Sequence, residues 1–402
     1  MTPSSASTTG GAILYDGWAL IRRPGSPAAL HLLSLLAAHP PDRRGVLALP
    51  GPVPPEMLPT AALDFLDRLE RAPAPVPDTP AGRLAWEQRI LPRLARQAGA
   101  GLLHAVGGGL ALFAGLPALY SPTAAPGAPD LPPAPFETDS APSQRRTLAG
   151  RLAEALGQGG LARARAVLWP ADFPAPQAAL LPERLERLPF GVPAWWADAG
   201  LAALAAQFAP QLTALPDAYV YYRGPLDPPA LQQVLAAWSW AARAVGADTP
   251  LVVQGGTAQQ TAAFWRLANE WGLSETLRWL EPLPAWAAPA VMRGCRAFFY
   301  PLDPPAWGDP LRLALALGRP LVGLETARSA AVCGPAGYLV PRAGESAPGG
   351  GAERRALGAA LISVLVEQSL AQELGAAALQ QAQSWPWAGF QAGLAEAYRR
   401  LG

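Results

Sequence analysis

The sequence contains no lysine and a single asparagine, so every strongly basic side chain among its 402 residues is an arginine. Chemistry that requires a lysine amine, such as Schiff-base formation, is therefore excluded. Two cysteines, Cys295 and Cys333, are too few for a disulfide framework or a metal cluster. The three histidines lack the spacing of a zinc-binding motif. We therefore expect neither a metal nor a cofactor.

The chain also lacks an excess of charge, with 31 basic and 30 acidic residues and a formal net charge of +1. Such a chain has no overall field that attracts nucleic acid or an anionic membrane. The first residues lack the basic start and the apolar run of a signal peptide. The most apolar stretch, residues 101–119, is interrupted by His104 and by Gly107–Gly109 and is unsuited to span a membrane. We expect a cytoplasmic protein with no nucleic-acid partner and no transmembrane segment.

Apolar residues are plentiful at 50%, which is enough for two packed cores in a chain of this length. Forty-seven prolines indicate stiff loops rather than disorder, because the apolar content is high. Fourteen tryptophans are a further surplus, and we expect most of them in the core, since they fall within helical apolar stripes. The alternative is a carbohydrate-stacking or protein-contact surface formed by Trp195, Trp196, Trp238, Trp240, Trp385 and Trp387.

The C-terminal half alternates short β-branched or aromatic runs with helical patterns. Strands are predicted for AYVYY, PLVVQGG, LRWL, RAFFYP, RPLVGLE and AGYLVP, with helices between them. The stretch DPLRLALALG is ambiguous, because its leucines alternate as in a strand while its alanine and leucine content favours a buried helix. Repeated βα units of this length predict a parallel sheet covered on both faces, as in a Rossmann-like domain. The usual GxGxxG dinucleotide fingerprint is absent.

The N-terminal half follows the same alternation less regularly. Strands are predicted for AILYDGWAL, GVLALPG, AGLLHAV and RAVLW, and an amphipathic helix for RLAWEQRILPRLARQAG. Residues 117–142 are rich in Pro, Ala and Ser and are predicted to form a long surface loop or lid. We therefore predict an α/β protein of two Rossmann-like domains, residues 1–195 and 196–382. The final helix, residues 383–402, has a wide apolar stripe and is predicted to cross back onto the first domain.

Taken in order, these segments resemble the glycosyltransferases of the GT-B fold, specifically the retaining family 4. ILYDGWAL and PGSPAALHLLSLLAAHP are similar to that family's first strand, glycine loop and first helix, and LERLPFGVPAWW is similar to its IPxGVD strand. YVYYRGPLDPPALQQVLAAW resembles the start of its donor-binding domain, and FYPLDPPAWGDPLRLALALGRPLVG resembles its nucleotide-sugar motif. The resemblance runs through nearly the whole chain and implies an interdomain cleft that binds a nucleotide sugar.

The positions that hold the donor in that family are changed here. The family's E-x7-E pair, whose second glutamate holds the donor ribose, falls on Pro305 and Leu313. The arginine and lysine that hold the donor diphosphate fall on Gly224 and Pro229. A charge-assisted hydrogen bond contributes about 1.5–3 kcal/mol, so the loss of two contacts to the ribose and two to the diphosphate removes roughly 6–12 kcal/mol. A donor bound at micromolar to millimolar strength has a binding free energy of only about 4–8 kcal/mol in total. We therefore expect ordinary nucleotide-sugar binding to be lost.

Other family positions are changed as well. The acceptor-side His-Asp pair falls on Pro122 and Thr123, the second glycine and the basic residue of the first loop fall on Pro27 and Ala28, and a later glutamate falls on Ala331. Because the cations that stabilise a departing diphosphate are missing, we assign no catalytic residue.

Six residues remain candidates for the cleft or for ligand binding: Gly25, His104, Arg223, Gly224, Asp303 and Asp309. His104 ends a strand that faces the cleft in the family, and a locally hydrogen-bonded histidine is the alternative. Arg223 lies one residue from the diphosphate position, and a solvated or locally paired arginine is the alternative. Asp303 and Asp309 lie near the changed carboxylate position.

Two hypotheses follow for the function. In the first, the chain is a catalytically degenerate homologue with a binding or scaffold role, and its partners are a nucleotide sugar or carbohydrate, another glycosyltransferase or another protein subunit. In the second, it is an active retaining glycosyltransferase that uses a nucleotide-sugar donor through a non-standard site. The residues favour the first hypothesis, and a shared fold by itself indicates only common descent.

Overall fold

The computed structural model describes residues 11–402 apart from 55–56, 60–62, 113, 124–159, 161, 175–183, 209–211, 257 and 343–350. These residues form two β-sheets flanked by helices. The strands of the first sheet, β1 to β7, are Ala12–Asp16, Gly45–Leu49, Leu69–Pro73, Ala100–Val106, Ala118–Ser121, Ala166–Pro170 and Leu185–Leu188. The strands of the second sheet, β8 to β13, are Val220–Tyr222, Leu251–Gln254, Leu277–Leu280, Ala297–Tyr300, Leu321–Glu325 and Gly337–Pro341.

Both sheets have the same strand order. It is β3-β2-β1-β4-β5-β6-β7 in the first and β10-β9-β8-β11-β12-β13 in the second, and the paired strands are parallel. The order reverses between β1 and β4 and again between β8 and β11. Ligands of such sheets bind outside the carboxyl ends of the strands at this reversal. The predicted α/β class with two Rossmann-like units is confirmed.

The helices begin where the sequence supplies a polar cap followed by proline. Ser26, Asp227 and Asp309 each accept a hydrogen bond from a backbone N–H in the first turn of a helix that opens with proline. In chain order, the α-helices of the described residues are α1 Trp18–Arg22, α2 Pro27–Ala37, α3 Pro80–Ala85, α4 Leu91–Gln97, α5 Ala199–Phe208, α6 Pro228–Val245, α7 Ala258–Glu270, α8 Ala288–Gly294, α9 Pro310–Ala316, α10 Ala327–Cys333, α11 Gly351–Val366, α12 Gln368–Ala382 and α13 Trp387–Leu401.

Three segments refine the sequence predictions. The ambiguous DPLRLALALG stretch contains the helix α9, so the helical interpretation is confirmed. The helix is buried over most of its length, which accounts for leucines on more than one of its faces. Ala118–Ser121 was predicted as surface loop, and this was wrong: it is the buried strand β5, paired with β4 and β6. The rest of that predicted loop, from residue 124, lies outside the described residues. The amphipathic helix is divided into α3 and α4 by a π-helical turn at Trp86–Ile90, directly before Pro92, which has no N–H to donate.

The tryptophans are mostly core residues, as predicted. Nine of them are buried, among them Trp86, Trp238 and Trp307, while Trp240 and Trp271 are exposed. One hydrophobic core runs without interruption from the first sheet into the second. The chain passes between the two domains twice, near residues 190–192 and near Trp385, and these two segments are here called the chain crossings. The side chains of Phe190 and Trp385 belong to the core. At the crossings Val192 N–H donates to the Trp385 carbonyl at 3.1 Å. The two sheets are therefore joined by packing as well as by the chain.

The last helix, α13, lies on the first sheet. The Arg43 guanidinium donates to the Tyr398 carbonyl at 2.9 Å, and Arg400 forms an ion pair with Glu186 of β7. The domain limits 1–195, 196–382 and 383–402 stay predictions. Among the described residues, no helix combines the length and the apolar character that crossing a membrane requires.

Candidate functional site

Residues 301–313 follow β11 and are here called the cleft segment, after the interdomain cleft that the resemblance implies. At its centre Trp307 is fully buried and stacks on His31 of α2, with 4.6 Å between the ring centroids. The Trp307 indole N–H donates to the Leu168 carbonyl of β6 at 2.8 Å. Gly308 has φ +67°, and a Cβ there would clash with the Pro27 carbonyl group. The cleft segment thus lies directly against the first domain.

A buried arginine fixes the end of the cleft segment. Arg312 is fully buried, and its Nη2 lies 2.7 Å from each carboxylate oxygen of Asp172, which follows β6 in the first domain. Its guanidinium also lies 4.5 Å from the ring centroids of Phe173 and Phe190. Contacts of this kind hold a cation in an apolar environment. Arg312 therefore joins the donor side of the cleft to the first domain.

Asp309, a predicted site residue, takes part in this contact. Its Oδ1 accepts from the Leu311 backbone N–H at 2.8 Å, and its Oδ2 lies 3.5 Å from Arg312 Nη1. Burial raises the pKa of Asp309 to about 6, while the Arg312 charge acts in the opposite direction. The carboxylate caps α9 and faces Arg312.

Arg223 and Gly25, two further predicted residues, are brought together across the cleft. The Arg223 guanidinium donates from Nε and Nη2 to the Gly25 carbonyl at 3.2 and 3.0 Å. Burial lowers the pKa of Arg223. Its Nη1 and the side-chain nitrogen of Gln254 are buried without a hydrogen-bond partner among the described residues. Two donors beside Gly25 are thus unsatisfied, which is costly in a buried position.

Gly224 and Asp303 do not join that contact. A Cβ at Gly224 would lie 2.6 Å from the Tyr222 hydroxyl oxygen and 2.9 Å from the Tyr300 ring, so glycine is required by close packing. Asp303 accepts a hydrogen bond from the Thr326 hydroxyl at 2.6 Å. Both residues have a local structural role in the second domain, and a role in ligand binding stays a prediction for each.

His104 lies inside the first domain. It is fully buried at the end of β4, with Nδ1 2.7 Å from the Tyr398 hydroxyl and Nε2 2.9 Å from the Ser121 hydroxyl. Burial lowers the pKa of His104 to about 3, so the ring is neutral near pH 7. The geometry matches the alternative interpretation of a locally hydrogen-bonded histidine, and it ties α13 to the first sheet.

The family positions for the donor contacts lie in different environments. Leu313 is fully buried in the hydrophobic core, and Pro305 is also buried. Gly224 is half-buried, and Pro229 is exposed in the first turn of α6. Apolar or small residues occupy all four positions, so none of the four supplies a charged group to a ribose or a diphosphate.

Sequence reasoning missed the groups that close the cleft. Trp307 and His31 lie in segments that resemble family motifs, but neither was singled out, and Asp172 lies 140 residues before Arg312. An arginine within the apolar helix PLRLALA was the one local signal, since a buried cation requires a partner.

A second buried ionic cluster was missed at the reversal point of the first sheet. Arg83 of α3 lies 2.5 Å from Glu87 Oε1 and 3.6 Å from Asp16 Oδ2. Asp16 also accepts from the Trp86 indole N–H, and Glu87 accepts from the Gly109 backbone N–H. The sequence offers no signal for it beyond the glycine run 107–109, and the cluster fixes the loop after β4 to α3.

Comparison with known proteins identifies the fold. No protein-family model and no curated protein matches the chain. HepE from Anabaena, in complex with UDP and glucose, is 16% identical, with a TM-score of 0.63 over 97% of this chain and 100% of that chain. Sucrose-phosphate synthase from Thermosynechococcus elongatus is 16% identical, with a TM-score of 0.61 over 97% and 99%. WaaG, a glycosyltransferase involved in lipopolysaccharide biosynthesis, is 14% identical, with a TM-score of 0.62 over 97% and 99%. The chain has the two-domain α/β fold of these GT-B glycosyltransferases.

Proposed function

We propose that this chain is a catalytically degenerate glycosyltransferase homologue with a binding or scaffold role. The observation that carries the proposal is the position of the cleft segment, where Trp307 stacks on His31 and donates to the Leu168 carbonyl. Ligands of such sheets bind outside the carboxyl ends of the strands, and in this chain Trp307 and His31 pack against each other there. This packing supports the loss of ordinary donor binding.

The residues at the family's donor positions support the same proposal. Leu313 stands where the ribose-binding glutamate is expected, and it is fully buried among apolar side chains. A carboxylate there would be desolvated, which is strongly unfavourable without a partner. Restoring glutamates at Pro305 and Leu313 is therefore not expected to create activity, because the diphosphate contacts at Gly224 and Pro229 are also missing.

In this proposal the chain binds a carbohydrate or a protein subunit, and another glycosyltransferase is one such subunit. HepE was solved with UDP and glucose, and this likeness is the reason to test nucleotide sugars first. The fold alone does not transfer that activity to this chain.

The test is turnover and binding of UDP-, GDP- and ADP-sugars by the purified full-length chain. We expect no nucleotide release above a heat-denatured control and no shift of the unfolding midpoint. A ligand at about 100 times its Kd would stabilise the fold by about 2.7 kcal/mol, which is measurable as a higher midpoint. Turnover of any one donor above the control overturns the proposal.

One observation favours the second candidate, an active transferase with a non-standard site. Arg223 Nη1 and the Gln254 side-chain nitrogen are buried donors without a hydrogen-bond partner among the described residues. An anionic group that displaced the Gly25 carbonyl would satisfy them. If a nucleotide raises the unfolding midpoint of the wild type and Arg223→Met abolishes the rise, this candidate replaces the first.

A further inference from the structure

The strongest electrostatic feature that the proposed function leaves unexplained is the charge of Arg312. Its side chain is fully buried, whereas that of Asp172 is 32% exposed. Arg312 Nε and Nη1 and Asp309 Oδ2 are buried without a hydrogen bond among the described residues, although Nη1 and Oδ2 face each other as an ion pair at 3.5 Å. A guanidinium that is only partly satisfied adds little net stability, because desolvation offsets the attraction. Stability alone is therefore a weak reason for an arginine at this place.

The position of Arg312 relates it to movement between the domains. Its ring neighbours Phe190 and Trp385 lie at the two chain crossings, with the guanidinium 4.5 and 5.6 Å from their ring centroids. Beside them, the backbones of the two crossings are hydrogen-bonded to each other between Val192 and Trp385. Rotation of domains uses a few loop or element-terminal residues as hinges, and the two crossings are such segments. Arg312 thus reaches from the crossings to Asp172 on the far side of the cleft.

Two other polar contacts across the cleft end on backbone carbonyls. Arg223 donates to Gly25, and the Trp307 indole donates to Leu168. Water replaces such partners readily when surfaces separate. The Asp172–Arg312 contact differs, because both of its members are charged and one of them is partly in reach of solvent.

We propose that the Asp172–Arg312 ion pair is an autoinhibitory latch that holds the cleft segment, with Trp307 at its centre, against the first domain and bars the cleft to ligands until the pair is broken. The inference rests on the proposed function only in taking the cleft as the place where a ligand would bind. It adds that, of the contacts between the two sides, this ion pair is the one whose loss opens the cleft.

The test compares the wild type with Asp172→Asn, which keeps the shape of the side chain and removes its charge. Spin labels at Asp67→Cys in the first domain and Glu270→Cys in the second report the distance between the domains, since both positions are exposed. Cys295 and Cys333 are buried and stay unlabelled. We expect one narrow distance in the wild type and a second population, displaced by about 5 Å or more, in Asp172→Asn.

Hydrogen exchange supplies a second readout. We expect faster exchange of residues 301–313 in Asp172→Asn, with the core strand Gly45–Leu49 unchanged. The matched control is Glu70→Gln, which breaks an exposed ion pair with Arg44 of the same 2.7 Å length and is expected to change neither readout.

Each other outcome has a defined meaning. An unchanged distance and unchanged exchange in Asp172→Asn overturn the latch. Equal acceleration of exchange in residues 301–313 and in Gly45–Leu49 also overturns it, because the pair would then stabilise the whole fold. Turnover of a nucleotide sugar by the wild type would overturn the proposed function, whereas the latch is decided by the distance and exchange measurements, which do not depend on activity.

Discussion

Of the contacts that join the C-terminal part of the chain to the first domain, two differ sharply in their chemistry. In the helix contact, His104 lies within hydrogen-bond distance of Tyr398 of α13 and of Ser121. In the cleft contact, Arg312 faces Asp172 and Asp309. The helix contact consists of neutral groups with both ring nitrogens satisfied, whereas the cleft contact consists of charges with unsatisfied atoms.

The difference indicates which contact is permanent. A buried neutral network with every partner present rigidifies a core. A buried ion pair has a large desolvation cost, which is recovered when the surfaces separate and water returns. The helix contact is thus part of the first domain's core, and the cleft contact is the one suited to open.

The largest effect is expected from Arg312→Met, which breaks the cleft contact from its buried side. It leaves Asp309 buried without its cation, and such a loss costs about 3–5 kcal/mol. Urea unfolding of the two proteins measures it. Adding Asp309→Asn should recover part of the loss, because the uncompensated carboxylate is then removed. Arg44→Met, at the exposed pair with Glu70, is the control and should cost less than about 1 kcal/mol. Equal losses in Arg312→Met and Arg44→Met would contradict the assignment of a buried charge.

The same comparison explains how far the sequence predicts the molecule. The strands and helices follow from local periodicity, and the polar cap before proline marks several helix starts, as at Asp309. The cleft contact is not local, since Asp172 and Arg312 are 140 residues apart. The carbonyl of Gly25 that Arg223 contacts carries no residue-type signal at all, because every residue has one. His104 could be singled out from the sequence because it ends a predicted strand. Its contact with Tyr398 could not be predicted, because the fold brings together two residues that are 294 positions apart.

A pH titration separates the two contacts further. The pKa of His104 is about 3 in the folded chain and about 6.5 when unfolded. The folded state therefore binds fewer protons, and the stability from this group is present above pH 6.5 and is lost as the pH falls towards 3. Between pH 6.5 and 4 the expected loss is about 3 kcal/mol. Urea unfolding at both pH values gives the change of the unfolding free energy with pH, in the wild type and in His104→Gln. The contribution of His104 is the difference between the two changes. If the unfolding free energy changes equally in both proteins, His104 does not titrate on unfolding.

The smallest effect is expected from Tyr398→Phe, which tests whether the helix contact depends on its hydrogen bonds or on packing alone. The ring stays in place, and His104 Nδ1 loses the hydroxyl that lies 2.7 Å away. An unsatisfied buried polar atom costs about 1–3 kcal/mol. Tyr338→Phe removes a hydroxyl from an exposed tyrosine and should change the free energy of unfolding by less than about 0.5 kcal/mol. If both variants are equally stable, α13 is held on the first sheet by its apolar face, and the hydrogen bond of Tyr398 adds nothing to the free energy of unfolding. A loss confined to Tyr398→Phe means that satisfied neutral hydrogen bonds make the helix contact permanent, while the cleft contact depends on a pair of charges that water can separate.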